Sequence, residues 1–490
     1  MANEKLTDLL TSNPATTLDP TDLLYITNDR ASTPDSAAIT VANALRTYQQ
    51  TTAESAAAVT PTDYSYEPGN VLRYGTNTTP GTTDMTAAIR AALSVADAAG
   101  GGTVYLPAGT YAVATSETPA YCLQVPSNTH LKGESAANTV ITRAAANVEE
   151  ASILIASKLS NTATVYNGAS DIVISDLTIR DSLTTERSQA NGNLIALGHA
   201  DGVVVRDCIF GKHTQHCVDI VGSRNVSVIN CREVNDNGLT GYASNAAVQV
   251  DVAVSGAFLS VNADNTPSRD VLIRGNSFKS TNTNEVLHIG HNDGKVENIV
   301  ISDNYLYGTA RSFAKIIRCD TDSSSIDGLT ISNNVIEMTT ANNSGINLVC
   351  NGNDSESLRN IKITGNIIKG IGGTGIYVGG TSSFAQASFP DFHNIVISDN
   401  VIDIDWTGST VENRGIIVSL CSNAVVEGNS ITVTKPSDNT PLYGIFLLSC
   451  LSAIARNNTV KTTLSTSYAG SNTTAAIALS RYGSILTTTP

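Results

Sequence analysis

The chain has 490 residues, with 44 acidic against 29 basic side chains, a net charge of -15, 15% charged residues and 5% aromatics. A surface of that sign repels a phosphate backbone, which excludes nucleic acid as a partner. No apolar run reaches the roughly 18 residues of a membrane span, and the opening MANEKLTDLL lacks the apolar stretch of a secretion signal.

Residues 1–60 carry no repeat. Within them, 41–58 predict a helix with Val41, Leu45 and Tyr48 on one face. It reads either as a neck helix at a trimer axis or as a linker helix. Residues 61–102 predict an entry segment with Thr83 and Asp84 as helix N-caps. Ala88, Ile89, Ala92, Leu93 and Ala96 then form an apolar stripe, and Gly100–Gly102 stop the helix. Such a helix would cover an open sheet edge.

From 103 to 490 the chain repeats. Segments such as VLIRGNSF, NIVISDNYL, GLTISNNVI and NIVISDNVI alternate apolar and polar residues, reach an Asn and resume. Asn276, Asn304, Asn334, Asn366, Asn400, Asn429 and Asn458 recur every 28–34 residues, the period of a solenoid. A second strand motif precedes each Asn, as in HCVDIVG, EVLHIGH, GIYVGG and GIIVSL. Two or more period-2 strands per repeat exclude a helical solenoid. They predict an all-β fold, a parallel β-helix, with the asparagines in left-handed backbone at a bend and their amides bonded coil to coil. The eight cysteines include no CxxC pair, so buried thiols are expected and zinc is not. Cys421 and Cys450 each lie eight residues before an Asn and are expected to stack.

Ligands of such a solenoid bind its outer face. Alternation places Asp219, His288, Lys315, Asn347, Tyr377, Ile417 and Phe446 on one outward stripe, with Glu233, Asp236, Asp251, Glu285, His291 and Arg318 near its upstream half. Carboxylates on adjacent coils would lie about 5–10 Å apart, the span glycoside hydrolysis uses. Asp219 and Asp251 are therefore the expected catalytic pair, with His288 as acid/base helper and Lys315, Arg318, Tyr377 and Glu285 as substrate-binding residues. No cofactor or metal is expected; the turns at 319–325 and 351–357 do not match an EF-hand loop and read as solvated.

The stretch RYGTNTTPGTTDMTAAIRAALSVADAAGGGTVYLPAGTY (73–111) resembles the start of the pectate-lyase superfamily β-helices, a group with polygalacturonases, lyases and many phage tailspikes. That resemblance implies a right-handed helix. It is weak for function, because one solenoid hosts many chemistries. GHND at 290–293 echoes one polygalacturonase element, but the rest of that set is missing. LDPTDLLYITND followed by AITVANALR resembles the N-terminal segment that attaches phage tail fibres and tailspikes to the virion. Together the two resemblances imply a homotrimeric tailspike, made in the host cytoplasm and carried on the phage tail. Residues 1–60 would form its virion attachment to tail or adaptor proteins and its neck. Host surface polysaccharide would be the partner, bound and cleaved or only bound. The alternatives are a non-catalytic tail fibre and a free polysaccharide lyase or hydrolase.

Overall fold

The computed structural model describes residues 23–27, 36–40 and 48–480, apart from 115–120, 145–152, 159–161, 183–191, 214, 235–245, 255–261, 282–284, 291–293, 310–314, 322–323, 339–343, 351–356, 371, 381–391, 406–412, 436–441 and 465–473. Leu23–Thr27 (β1) and Ser36–Thr40 (β2) pair antiparallel. From Gly102 onward the chain visits three 12-stranded parallel sheets in strict rotation, one strand of each per coil. The first sheet runs from Gly102–Leu106 to Ile454–Arg456, the second from Gly109–Val113 to Thr459–Leu464, and the third from Tyr121–Val125 to Thr474–Ser480. This is the parallel β-helix expected from the repeat.

Period-2 alternation sends every second side chain into one continuous core. In the third sheet Val218, Val248, Leu287, Ile317, Ile346 and Ile376 stack in register, and all are fully buried. Cys421 and Cys450 follow the paired Ser419 and Leu448 by two residues each, and both thiols are buried.

The asparagine ladder forms, with one correction. Asn366 Oδ1 accepts from the backbone N and the Nδ2 of Asn334, while its own Nδ2 donates to Ile331 O and to Asn400 Oδ1, each at 2.9–3.0 Å. The same pattern runs from Asn276 to Asn458. The left-handed residue is not the ladder Asn but the one before it: Gly275, Asp303, Asn333, Gly365, Asp399, Gly428 and Asn457 have φ of 55–68°. Asp, Asn and Gly tolerate that backbone, and the turn it makes aims the next side chain inward. Upstream, Cys231 continues the column, its backbone N donating to Asn276 Oδ1 at 2.8 Å.

The helix Thr86–Ala98 buries the expected stripe. Asp84 caps it from one residue further out, its Oδ1 accepting from Thr86 N, and Met85 takes the N-cap position. Arg90 donates to the carbonyls of Cys122 and Tyr121, and Tyr105 N donates to Gly69 O, so residues 69–98 occupy the free edge of the first coil. Gly101 has φ 133°, and a Cβ there would meet Asn128 O at 2.5 Å. The expected helix over 41–58 reduces, within residues 48–58, to Thr52–Ala56; 41–47 lie outside the described residues. Ala53, Ala57 and Val59 pack against the solenoid core.

Candidate functional site

The strand register decides which outward residues meet. On the outer face of the third sheet Asp219 lies opposite Gln249, Gln249 opposite His288, His288 opposite Arg318, Arg318 opposite Asn347 and Asn347 opposite Tyr377. Asp251 is one coil beyond Asp219 but two residues further along, opposite Val221. Lys315 falls beside Glu285 rather than His288. The Lys315 and Arg318 side chains, and Asp236 and His291 altogether, lie outside the described residues.

These outward groups are not solvated. Asp219 is 1% exposed, Asp251 0%, His288 2% and Glu285 5%. Ile153, Ala156, Ala196, Val221 and Ala253 join Tyr121 in a second apolar cluster. Ala196 and Val221 carry it onto the outer column beside Asp219. Tyr377 is half-buried, and its hydroxyl donates to Gly380 O at 3.1 Å. Ile417 is 3% exposed, and Arg414 lies over the Phe446 ring at 4.5 Å, so this end of the outward stripe offers no open apolar surface through which copies of the chain could meet around a three-fold axis. Glu233 is a larger departure: it points into the core, not outward.

Asn193, one coil before Asp219, organises the carboxyl. Its Nδ2 donates to Asp219 Oδ2 at 2.8 Å, and its Oδ1 accepts from His216 N at 3.1 Å. His216 Nδ1 faces the Ala246 carbonyl at 2.8 Å, which makes Nδ1 the protonated nitrogen. Asp219 Oδ1 has no hydrogen-bond partner among the described residues. Asp251 accepts from Gln249 Nε2 at 3.0 Å and from Val252 N at 2.9 Å. His288 Nδ1 lies 3.6 Å from Glu285 Oε1. Burial, then the charge of Asp251, pushes the Asp219 carboxyl well above the usual range, against the Asn193 bond. A protonated carboxyl beside one held by two donors divides into acid and base roles.

A raised folded value favours folding below the unfolded carboxylate range, and the benefit is lost as pH rises through the folded value. Asp219→Asn keeps an acceptor for Asn193 and removes that ionisation cost. It should raise the melting temperature at pH 7, with the gain closing toward pH ~4. Calorimetric scans across pH check this; an equal or lower melting temperature at pH 7 would mean that Asp219 is charged and satisfied.

Alternation misses Asn193, His216 and Gln249. NLIALG and AAVQVD are copies of the HCVDIVG motif, and aligning all three would have found them. One trio able to hold a metal, His213, Cys217 and Glu233, lies on the core side of the same coils.

Comparison with known proteins finds likenesses over parts of the chain. A family described as rhamnogalacturonase A/epimerase, pectate lyase-like, matches residues 69–283. The fold itself is a right-handed parallel β-helix. It is 55% identical over 62 residues to the mannuronan C5-epimerase AlgE1 of Azotobacter vinelandii, a match covering 12% of this chain and 4% of that enzyme. The surface adhesin PfbA of Streptococcus pneumoniae has a similar fold, with 18% identity, a TM-score of 0.52 and coverage of 81% of this chain and 92% of that one. The tailspike of E. coli bacteriophage HK620 aligns over 93% of this chain and 84% of its own at 12% identity, with a TM-score of 0.49 that decides nothing.

Proposed function

We propose that this β-helix binds bacterial surface polysaccharide as the recognition body of a phage tailspike. The observation that carries the binding is on the outer face of the second sheet. Tyr305 and Tyr307 point to the same side with ring planes within 13° and centroids 6.5 Å apart, a pair of nearly parallel aromatic rings. Tyr305 is 39% exposed. Its hydroxyl donates to Glu337 at 2.5 Å, Glu337 pairs with Lys369, and Lys279 lies 5.2 Å from the Tyr307 ring. Aromatic faces flanked by charged hydrogen-bonding groups suit pyranose rings and their hydroxyls. The family description and the epimerase match support a carbohydrate ligand. The tail attachment, the virion location and the homotrimer rest on the N-terminal resemblance. A trimer contact falls more naturally on the exposed column Ile367 and Val401, beyond Tyr305 in the second sheet, than on Ile417 and Phe446.

The test is binding to a panel of purified bacterial capsular polysaccharides and lipopolysaccharide O-chains. Tyr305→Ala and Tyr307→Ala should each weaken binding about tenfold or more with unchanged melting. Binding to no member of the panel, or full binding by both variants, would refute this reading. A second reading, cleavage, has Asp219, Asp251, Glu285 and His288 on neighbouring coils in its favour and their burial, at 5% exposure or less, against it. New reducing ends, lost by roughly a hundredfold or more in Asp251→Asn, would establish it.

A further inference from the structure

Inward positions of the second sheet form a column that runs Ile179, Phe210, Glu233, Phe278, Leu306 and Ile336. Arg232 opposite Ser277 puts Glu233 opposite Phe278. A carboxylate thus occupies a core slot that the coils above and below fill with aromatic and aliphatic side chains. Glu233 is 5% exposed, and a carboxylate taken out of water is costly unless it is paired or holds a metal. The two groups facing it come from the preceding coil, at the corner between the second and third sheets. His213 is 2% exposed, with Nε2 4.0 Å from Glu233 Oε1. Cys217 is fully buried, with Sγ 3.8 Å from the same Nε2 and 3.6 Å from Nδ1. One ligand atom from each of the three lies within 4.8 Å of the others.

We propose that His213, Cys217 and Glu233 bind one divalent transition-metal ion, best matched by zinc, which staples two successive coils from inside the core. Three features of the trio fit. First, the spacing suits a shared ion. A nitrogen 4.0 Å from an oxygen is beyond a direct hydrogen bond. Metal–nitrogen and metal–oxygen bonds of about 2.0–2.2 Å and a metal–sulfur bond of about 2.3 Å hold ligand atoms roughly 3.4–3.8 Å apart, so the trio, whose ligand atoms all lie within 4.8 Å of one another, closes on an ion with shifts of about an ångström or less. Second, the tautomer suits. His213 Nδ1 faces the Gly211 carbonyl at 3.2 Å, the backbone contact that orients a ligating imidazole and leaves Nε2 for the metal. Third, the charge balances. A thiolate, a carboxylate and a neutral imidazole around a dication sum to zero, the only charge a dry core accepts cheaply. The donor set also selects the metal. Sulfur and imidazole nitrogen exclude calcium and magnesium, while zinc accepts mixed S, N and O ligands. A Cys–His–Glu nucleophile is not the reading here, since a fully buried Cys217 has no substrate access.

The experiment uses the full chain, expressed with zinc and dialysed against metal-free buffer, with metal content measured by mass spectrometry. A cobalt-loaded sample is scanned for a thiolate-to-cobalt charge-transfer band. The expected result is about one zinc per chain and a band absent from Cys217→Ser. Glu233→Leu completes the apolar column and so should fold; its zinc content should fall at least tenfold. A folded parent chain without zinc and without the cobalt band would overturn the proposal. So would a Cys217→Ser or Glu233→Leu chain that retains the parent's zinc content.

Discussion

Ile376→Asp should destabilise the β-helix by more than about 4 kcal/mol, enough to leave its coils open or the chain aggregated. Ile376 is fully buried between Ile346 and Ile416, in a column where every coil offers only apolar neighbours. An aspartate there finds no donor. It also forfeits the contacts of an isoleucine, a loss of roughly 2–5 kcal/mol for a truncated core side chain. Because solenoid coils contact mainly their neighbours, the damage should concentrate around 346–416 and not spread evenly. Val300→Asp is the control. Val300 faces outward from the first sheet and is 36% exposed, so the same charge should cost little. Hydrogen exchange and thermal melts separate the two. Equal melting of the Ile376 variant and the parent would mean that this strand faces the other way.

The contrast between these two positions shows what a period of two can and cannot say. It assigns a face. The Asn spacing and the GIxV-type strands were therefore enough for the all-β solenoid and the Cys421–Cys450 stack. It does not assign position along a strand, since a slip of two residues keeps the same face. That is why Asp251 was set against Asp219, where the register puts Gln249. Nor does facing outward mean exposed: the apolar cluster around Ala196 and Val221 shares that outer surface, and Asp219 is 1% exposed. Glu233 escaped for another reason. Its two-residue strand, Arg232–Glu233, is too short to show alternation, and only its register with Phe210 reveals that it faces the core. The left-handed turns sit one residue before the expected position because both neighbours tolerate that backbone, Asn at the ladder and Asn, Asp or Gly just before it, and only φ distinguishes them.

Glu54→Gln should cost about 3–5 kcal/mol at neutral pH, through a network that no repeat pattern announces. Glu54 and Arg73 are both fully buried. Arg73 Nε and Nη2 donate to the two carboxylate oxygens at 2.5 and 3.0 Å. The carboxylate also accepts from Tyr74 Oη at 2.9 Å and, closing a capping box, from Thr51 N at 2.7 Å. The rest of the guanidinium donates to the carbonyls of Tyr66 and Gln49, and it lies 5.0 Å from the Tyr64 ring. Glutamine keeps the size but not the charge, leaving a buried cation without its anion. The damage should reach the solenoid's first edge, because residues 69–70 cover Tyr105 through Gly69 O and a bridge at Asn70. Faster amide exchange in Gly102–Leu106 is therefore expected along with the lower melting point. The pH dependence gives a second check. Burial alone would raise the Glu54 carboxyl, but the Arg73, Thr51 and Tyr74 bonds and the Arg73 charge outweigh it and hold the group below its ordinary value. A lowered folded value stabilises above the unfolded range near pH ~4.3 and loses that effect as pH falls through the folded value. The gap between parent and Glu54→Gln should thus be full at pH 7 and close in acid. Replacing both partners, Glu54→Leu with Arg73→Met, should recover much of the loss, since no buried charge remains. A single Glu54→Gln variant that melts and exchanges like the parent at pH 7 would show that residues 48–74 are held to the cap by their apolar contacts alone.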